Sequence, residues 1–133
     1  VSGNLISRFT DFLTTDGEME SRDRDAEFLA VLDTRAALLE CWDAPWPILF
    51  DAVDSLCVDD LENTIYIRNE GHTVTEALNR ALAHTSYHVG QIVQTGVMLR
   101  GKDWQTLSVP RGESKKRNQE MFAKPKGSVG EPS

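Results

Sequence analysis

The sequence predicts an all-α fold, arranged as a helical bundle, and three patterns carry that reading. The longest helical pattern opens on the capping-box spacing Thr73-Val74-Thr75-Glu76 and closes at Gly101. A second apolar stripe recurs at helical spacing through Leu38, Leu39, Trp42, Trp46, Leu49, Phe50 and Val53. A third, shorter one runs through Leu5, Ile6, Phe9, Phe12 and Leu13.

In chain order, Asn4 is placed to N-cap a first helix over about Leu5 to Leu13. Thr14 to Asp25 shows no apolar periodicity and reads as a surface loop whose charges meet only water. The second helix is capped near Asp33 or Thr34 and ends near Leu56. Pro45 and Pro47 lie inside it, where each removes a backbone donor and crowds the preceding turn, so a kink or break is expected there. Thr64 to Arg68 is β-branched and aromatic between Asn63 and Asn69-Glu70-Gly71, which suits one lone extended segment between helices.

In the long helix, Thr73 is expected to accept from the Glu76 amide while the Glu76 side chain reaches back. Arg100 suits the negative end of its dipole. Ala81, Leu82, Val89, Ile92, Val93, Val97 and Leu99 spread widely around it, the pattern of a central helix packed on several sides. Beyond Gly101, Trp104, Leu107 and Val109 are expected to pack back on the bundle, and Pro110 to Glu113 to form a turn. Ser114 to Phe122 reads as a short helix, and the Pro-, Gly-, Ser- and Lys-rich stretch from Lys124 to Ser133 as a disordered tail. The expected organisation is therefore one helical domain over residues 1–123 and a tail over 124–133.

Composition narrows the function. At 133 residues and 40% hydrophobic, the chain fits one small domain with an ordinary core. It lacks both an apolar run of about 18 residues and the basic-then-apolar layout of a signal peptide, so a cytoplasmic protein without a membrane partner is expected. Cys41 and Cys57 fall in the same predicted helix, sixteen residues and roughly 24 Å apart, beyond disulfide reach. The net charge of −7 is uneven: residues 1–99 hold 6 basic and 17 acidic side chains, and the remainder 8 basic and 4 acidic. An acidic body repels nucleic acid, and Lys115-Lys116-Arg117 without interleaved aromatics reads as a solvated segment, so no nucleic-acid partner is expected.

Chemistry concentrates in Ala83-His84-Thr85-Ser86-Tyr87-His88-Val89-Gly90-Gln91. Helical positions four apart lie one above the other, so His84 and His88 can present nitrogens to a single divalent ion. A buried pair that only satisfies hydrogen bonds gives the same spacing, and that alternative stays open. Steps of roughly 100° per residue align Arg80, His84, His88, Gln91 and Thr95 on one stripe. The flanking Ala81, Ile92 and Leu99 favour an enclosed cleft. Gln91 is placed to orient a water or a ring nitrogen, although a packing hydrogen bond suits it equally, and Gly90 is read as permitting close helix approach.

The run Gly3-Asn4-Leu5-Ile6-Ser7-Arg8-Phe9-Thr10-Asp11-Phe12-Leu13-Thr14-Thr15-Asp16-Gly17-Glu18, with Glu76 to Arg80, the HxxxH segment and Trp104 to Gly112, resembles the DinB-like (DinB/YfiT) superfamily of metalloenzymes over most of the chain. The resemblance implies a four-helix bundle, often dimeric, that binds a divalent ion, zinc or nickel, through three histidines. Two of these match His84 and His88. The third belongs to an earlier helix just upstream of the Gly-Asn motif, so the opening helix and that ligand are expected to lie before Val1 in a truncated chain. His72, outside the motif, reads as an exposed loop side chain, with coordination of the ion as its minor alternative. The implied activity is metal-assisted transfer of a low-molecular-weight thiol such as bacillithiol, mycothiol or glutathione. The competing expectations are a metal-dependent hydrolase and a non-enzymatic, stress-associated homodimer with a structural metal. No general base is identified.

Overall fold

A computed structural model describes residues 1–29 and 32–127, and most of these are helical. Helix α1 (Ser2–Phe9) starts and stops earlier than its apolar spacing suggests. Asn4 lies inside it, and Val1 occupies the N-cap position without a side-chain cap. The helix ends because Thr10 turns extended and its hydroxyl bonds back to the Ile6 carbonyl at 2.8 Å. Phe12 still reaches the core, from a turn, with its ring centroid 5.0 Å from that of Phe9. A helical repeat can thus be completed by a residue outside the helix.

The segment read as a solvated loop is tied down by side chain to backbone bonds. Ser7 Oγ donates to the Gly17 carbonyl at 2.8 Å and accepts from the Met19 amide at 2.9 Å, and Arg8 also donates to that carbonyl. The Gly17 amide donates to Tyr66 O at 2.8 Å. Hydrophobic periodicity cannot report such bonds, because they depend on Ser, Asp and Gly at single positions. A short helix α2 (Arg24–Leu29), also unanticipated, follows Asp23, whose carboxylate accepts from the Ala26 amide at 2.9 Å.

The predicted second helix is two helices, α3 (Arg35–Asp43) and α4 (Pro45–Asp54), divided where the prolines require. Thr34 caps α3 by accepting from the Ala37 amide at 3.1 Å. Pro45 sits in the first turn of α4, where a missing amide hydrogen costs nothing. Cys57 lies beyond α4 at the start of a 3-10 turn (Val58–Asp60), so the two thiols do not share a helix; both are free and exposed. The apolar stripe is only partly core. Trp46 and Leu49 pack against it, whereas Leu38 and Phe50 are more than half exposed.

The lone strand has a partner. Strands β1 (Thr64–Ile67) and β2 (Glu70–Thr73) form an antiparallel hairpin with Ile65 opposite His72. Its two turn residues, Arg68 and Asn69, have φ of 55° and 61°, the left-handed pair that a two-residue hairpin turn needs. Glu70-Gly71-His72-Thr73 carries little β propensity, and this hid β2 from a propensity reading.

Helix α5 (Val74–Arg100) begins on the expected capping box: Glu76 N donates to Thr73 Oγ1 at 3.1 Å, and Thr73 N donates to the Glu76 carboxylate at 2.9 Å. It ends at Gly101, whose φ of 52° suits glycine. Its burial is confined to the start, at Val74 and Ala77. Leu82 and Ile92 are each more than half exposed, so among the described residues α5 is not packed on several sides. A Cβ built on Gly90 meets nothing within 4 Å, so among the described residues no helix approaches there.

Two compact units divide the chain, Val1–Ile92 and Val93–Ser133. The core of the first joins Leu5, Phe9 and Phe12 to Ile65 and Ile67 of β1 and to Val74 and Ala77 of α5, with Trp46, Ile48, Leu49 and Ala52 of α4 against them. In the second, Trp104 packs so closely on Gly96 that a Cβ there would lie 2.6 Å from the indole. Leu107 and Val109 are exposed. Helix α6 (Ser114–Phe122) matches its predicted span. Of the expected disordered tail, residues 128–133 lie outside the described residues. No described helix is long and apolar enough to cross a membrane.

Candidate functional site

The stripe on α5 brings His84 and His88 together as its spacing requires. Their Nε2 atoms are 3.2 Å apart and their ring centroids 4.6 Å, with the planes nearly perpendicular. His88 Nδ1 donates to Gln91 Oε1 at 2.8 Å, and Gln91 Nε2 donates to the Tyr87 hydroxyl at 3.3 Å. Gln91 Oε1 can only accept, so it fixes the orientation of the His88 ring and leaves Nε2 as the nitrogen that faces His84. His84 Nδ1 is buried with no hydrogen-bond partner, an unusual state for a ring nitrogen. Burial, and then the neighbouring His88, hold the His84 pKa below its ordinary value, so the ring favours the neutral form that ligates metal.

This donor set fits half of a metal site. Two nitrogens sharing one tetrahedral zinc, each at about 2.0–2.1 Å, stand roughly 3.3 Å apart. The observed separation is 3.2 Å, which is also the length of a hydrogen bond between the two rings, the alternative that the spacing left open. Among the described residues, however, no group of three or more His, Cys, Asp or Glu side chains is arranged around a common point. His72 is not a third ligand. It is half-buried on β2 rather than exposed in a loop, with its Nε2 3.5 Å from Arg80 Nη1 and 3.7 Å from a Glu70 carboxylate oxygen.

His84 and His88 open onto a cavity of about 600 Å³ within the first unit. Its walls are Phe9 and Phe12, Ala77 and Ala81 of α5, Cys41 of α3, and a set of arginines: Arg8, Arg22, Arg24, Arg68 and Arg80. The expected flanking residues Ile92 and Leu99 are exposed and take no part. Only Arg80 among these arginines was marked in the sequence, by its place on the histidine stripe. The others arrive from α1, from the segment before α2 and its first residue, and from the hairpin turn, and no local pattern in the sequence joins them.

Ion pairs organise this wall. Glu18 meets Arg8 at 2.9 Å, Arg68 at 3.2 Å and Arg22 at 3.4 Å, while Glu27 meets Arg22 at 2.7 Å. Burial pushes the Glu18 carboxyl up, but Arg8, Arg22 and Arg68 outweigh it and leave it below the usual range. Burial also pulls the Arg8 guanidinium down, against the opposing pull of Glu18. The Glu27 carboxylate lies against Gly3 of α1, in the space a Cβ there would take.

One family model, described as "Protein of unknown function (DUF1572)", matches residues 1–113. No curated protein and no solved structure matches the chain.

Proposed function

The chain belongs to the DUF1572 family, and we propose that it is a divalent-metal-binding protein of the DinB-like, four-helix-bundle type whose ion, zinc or nickel, is held by His84 and His88. The observation that carries the proposal is the pair of Nε2 atoms 3.2 Å apart, one of them oriented by Gln91. Catalytic zinc sites carry three protein ligands and an open position, and the described residues bring two together. A divalent cation bound there lowers the pKa of a coordinated thiol or water by several units. The activity proposed is transfer of a low-molecular-weight thiol to an electrophile. For that reaction the chain supplies two imidazoles, a dense arginine wall to orient a substrate, and the apolar rings of Phe9 and Phe12 to limit water.

The same proposal includes a homodimer. Leu82, Val89 and Ile92 on α5 are exposed, and a second copy is the occupant proposed for them. Elemental analysis of the purified protein beside a His84→Ala, His88→Ala double variant tests the metal assignment; equal metal content in both rejects it. Incubation with a panel of thiols and a reactive electrophile tests the activity. Metal-dependent consumption of the thiol supports transfer, and hydrolysis of the electrophile without thiol supports a hydrolase instead.

A further inference from the structure

We infer that the cavity beside His84 and His88 binds a small anionic molecule, bearing a carboxylate or a phosphate, through the guanidinium groups of Arg24 and Arg80. The inference deepens the proposed function, on which its role as a substrate site rests, while the binding itself needs no metal.

Charge distribution is the first argument. Residues 1–99 contain 17 acidic side chains and only six basic ones, yet five of those six line this one cavity, all but Arg35. A single carboxylate, Glu27, shares the lining with them. An acidic body that gathers nearly all its cations into one concavity creates a local field opposite in sign to its surface. Low-dielectric walls focus that field.

Pairing is the second. Glu18 and Glu27 satisfy Arg8, Arg22 and Arg68, and among the described residues neither Arg24 nor Arg80 makes an ion pair. Arg24 lies over the Phe28 ring at 5.5 Å from its centroid, and Arg80 Nη1 lies 3.5 Å from His72 Nε2. Arg24 feels Glu27 only at longer range, and Glu27 is engaged at close range by Arg22, so the two guanidinium groups keep donors for an added anion. The planar fork of donors on each matches the oxygens of a carboxylate or a phosphate.

Size and shape are the third. A volume of about 600 Å³ lies within the range of small-molecule pockets and excludes a folded partner. The surrounding acidic surface repels a polyanion such as nucleic acid, so the ligand is a small molecule. Arg80 and His84 lie one helical turn apart on α5, so an anion held by the arginines presents the rest of its structure to the imidazole pair.

The test titrates the metal-free full chain with succinate and, separately, with inorganic phosphate, following binding by calorimetry. Variants Arg24→Gln and Arg80→Gln are compared with Arg35→Gln, which removes the one remaining arginine of the body, and with the His84→Ala, His88→Ala double variant. The expected result is saturable binding of at least one probe, weakened about tenfold or more by each cavity substitution, the loss of one charge-assisted contact. Arg35→Gln retains it. The preferred probe identifies a carboxylate or a phosphate as the ligand group. Far-UV circular dichroism confirms that each variant is folded. Failure of both probes to bind, or equal weakening by Arg35→Gln, overturns the inference. A histidine double variant that keeps its metal rejects the metal site alone and leaves the anion site standing.

Discussion

Replacing Asp16 by alanine should destabilise the protein by about 2 kcal/mol, because one carboxylate holds two distant parts of the chain together. Its oxygens accept from the amides of Glu18, Arg68 and Asn69, each at 2.8 Å. The last two are the left-handed residues of the hairpin turn, so Asp16 both stabilises a strained turn and fixes the backbone that carries Arg68 to the cavity. A hydrogen bond to a charged group contributes roughly 1.5–3 kcal/mol where water is excluded. The site is exposed, so water takes over much of each bond after substitution, and about 0.7 kcal/mol for each of the three is a reasonable net loss. With a urea slope of roughly 1.5 kcal/mol per molar, the unfolding midpoint should fall by about 1.3 M with the slope unchanged.

Acid supplies a second reading of the same contact. The backbone donors of Asn69, Arg68 and Glu18 hold the Asp16 carboxyl below its ordinary 3.8. A carboxyl whose pKa is lowered by folding contributes stability above the unfolded value and loses it as pH falls through the folded one. Wild-type stability should therefore decline below about pH 3.8 by an amount that Asp16→Asn does not show. A midpoint change worth less than about 0.5 kcal/mol, or identical acid profiles for wild type and Asp16→Asn, refutes the reasoning.

The two helical glycines should respond oppositely to alanine. Gly90→Ala has open space for its Cβ and should raise stability by about 0.5–1 kcal/mol through helix propensity. Gly96→Ala pushes on the Trp104 indole and should lower stability by about 1 kcal/mol, with a displaced Trp104 indole resonance in the NMR spectrum. Thr73→Ala removes one half of the capping box and should cost about 1 kcal/mol in thermal or chemical unfolding.

Much of this architecture was legible in the residues where a local rule governs a local structure. Thr73 and Glu76 specify a helix start, Gly101 a stop, and Pro45 a break, and each rule depends only on neighbours in the chain. The i, i+4 spacing likewise places His84 beside His88. Phe12 shows the limit of periodicity, since a turn residue completed a helical pattern. Strand β2 was hidden because Gly71 and His72 pair for reasons supplied by β1 and the turn, not by their own preference. The arginine wall is a tertiary fact: Arg8 and Arg80 stand far apart in sequence, and only the packing of α1 and α5 on a common core brings them to one cavity.

The central claim is that His84 and His88 act together as ligands through their Nε2 atoms. Imidazole nitrogen NMR during titration of the metal-free chain with zinc addresses it directly. The account predicts that the Nε2 resonances of His84 and His88 shift in concert to the metal-bound range while those of His72 stay in place. Zinc that moves His72 instead, or leaves the His84 and His88 nitrogens unchanged, contradicts it.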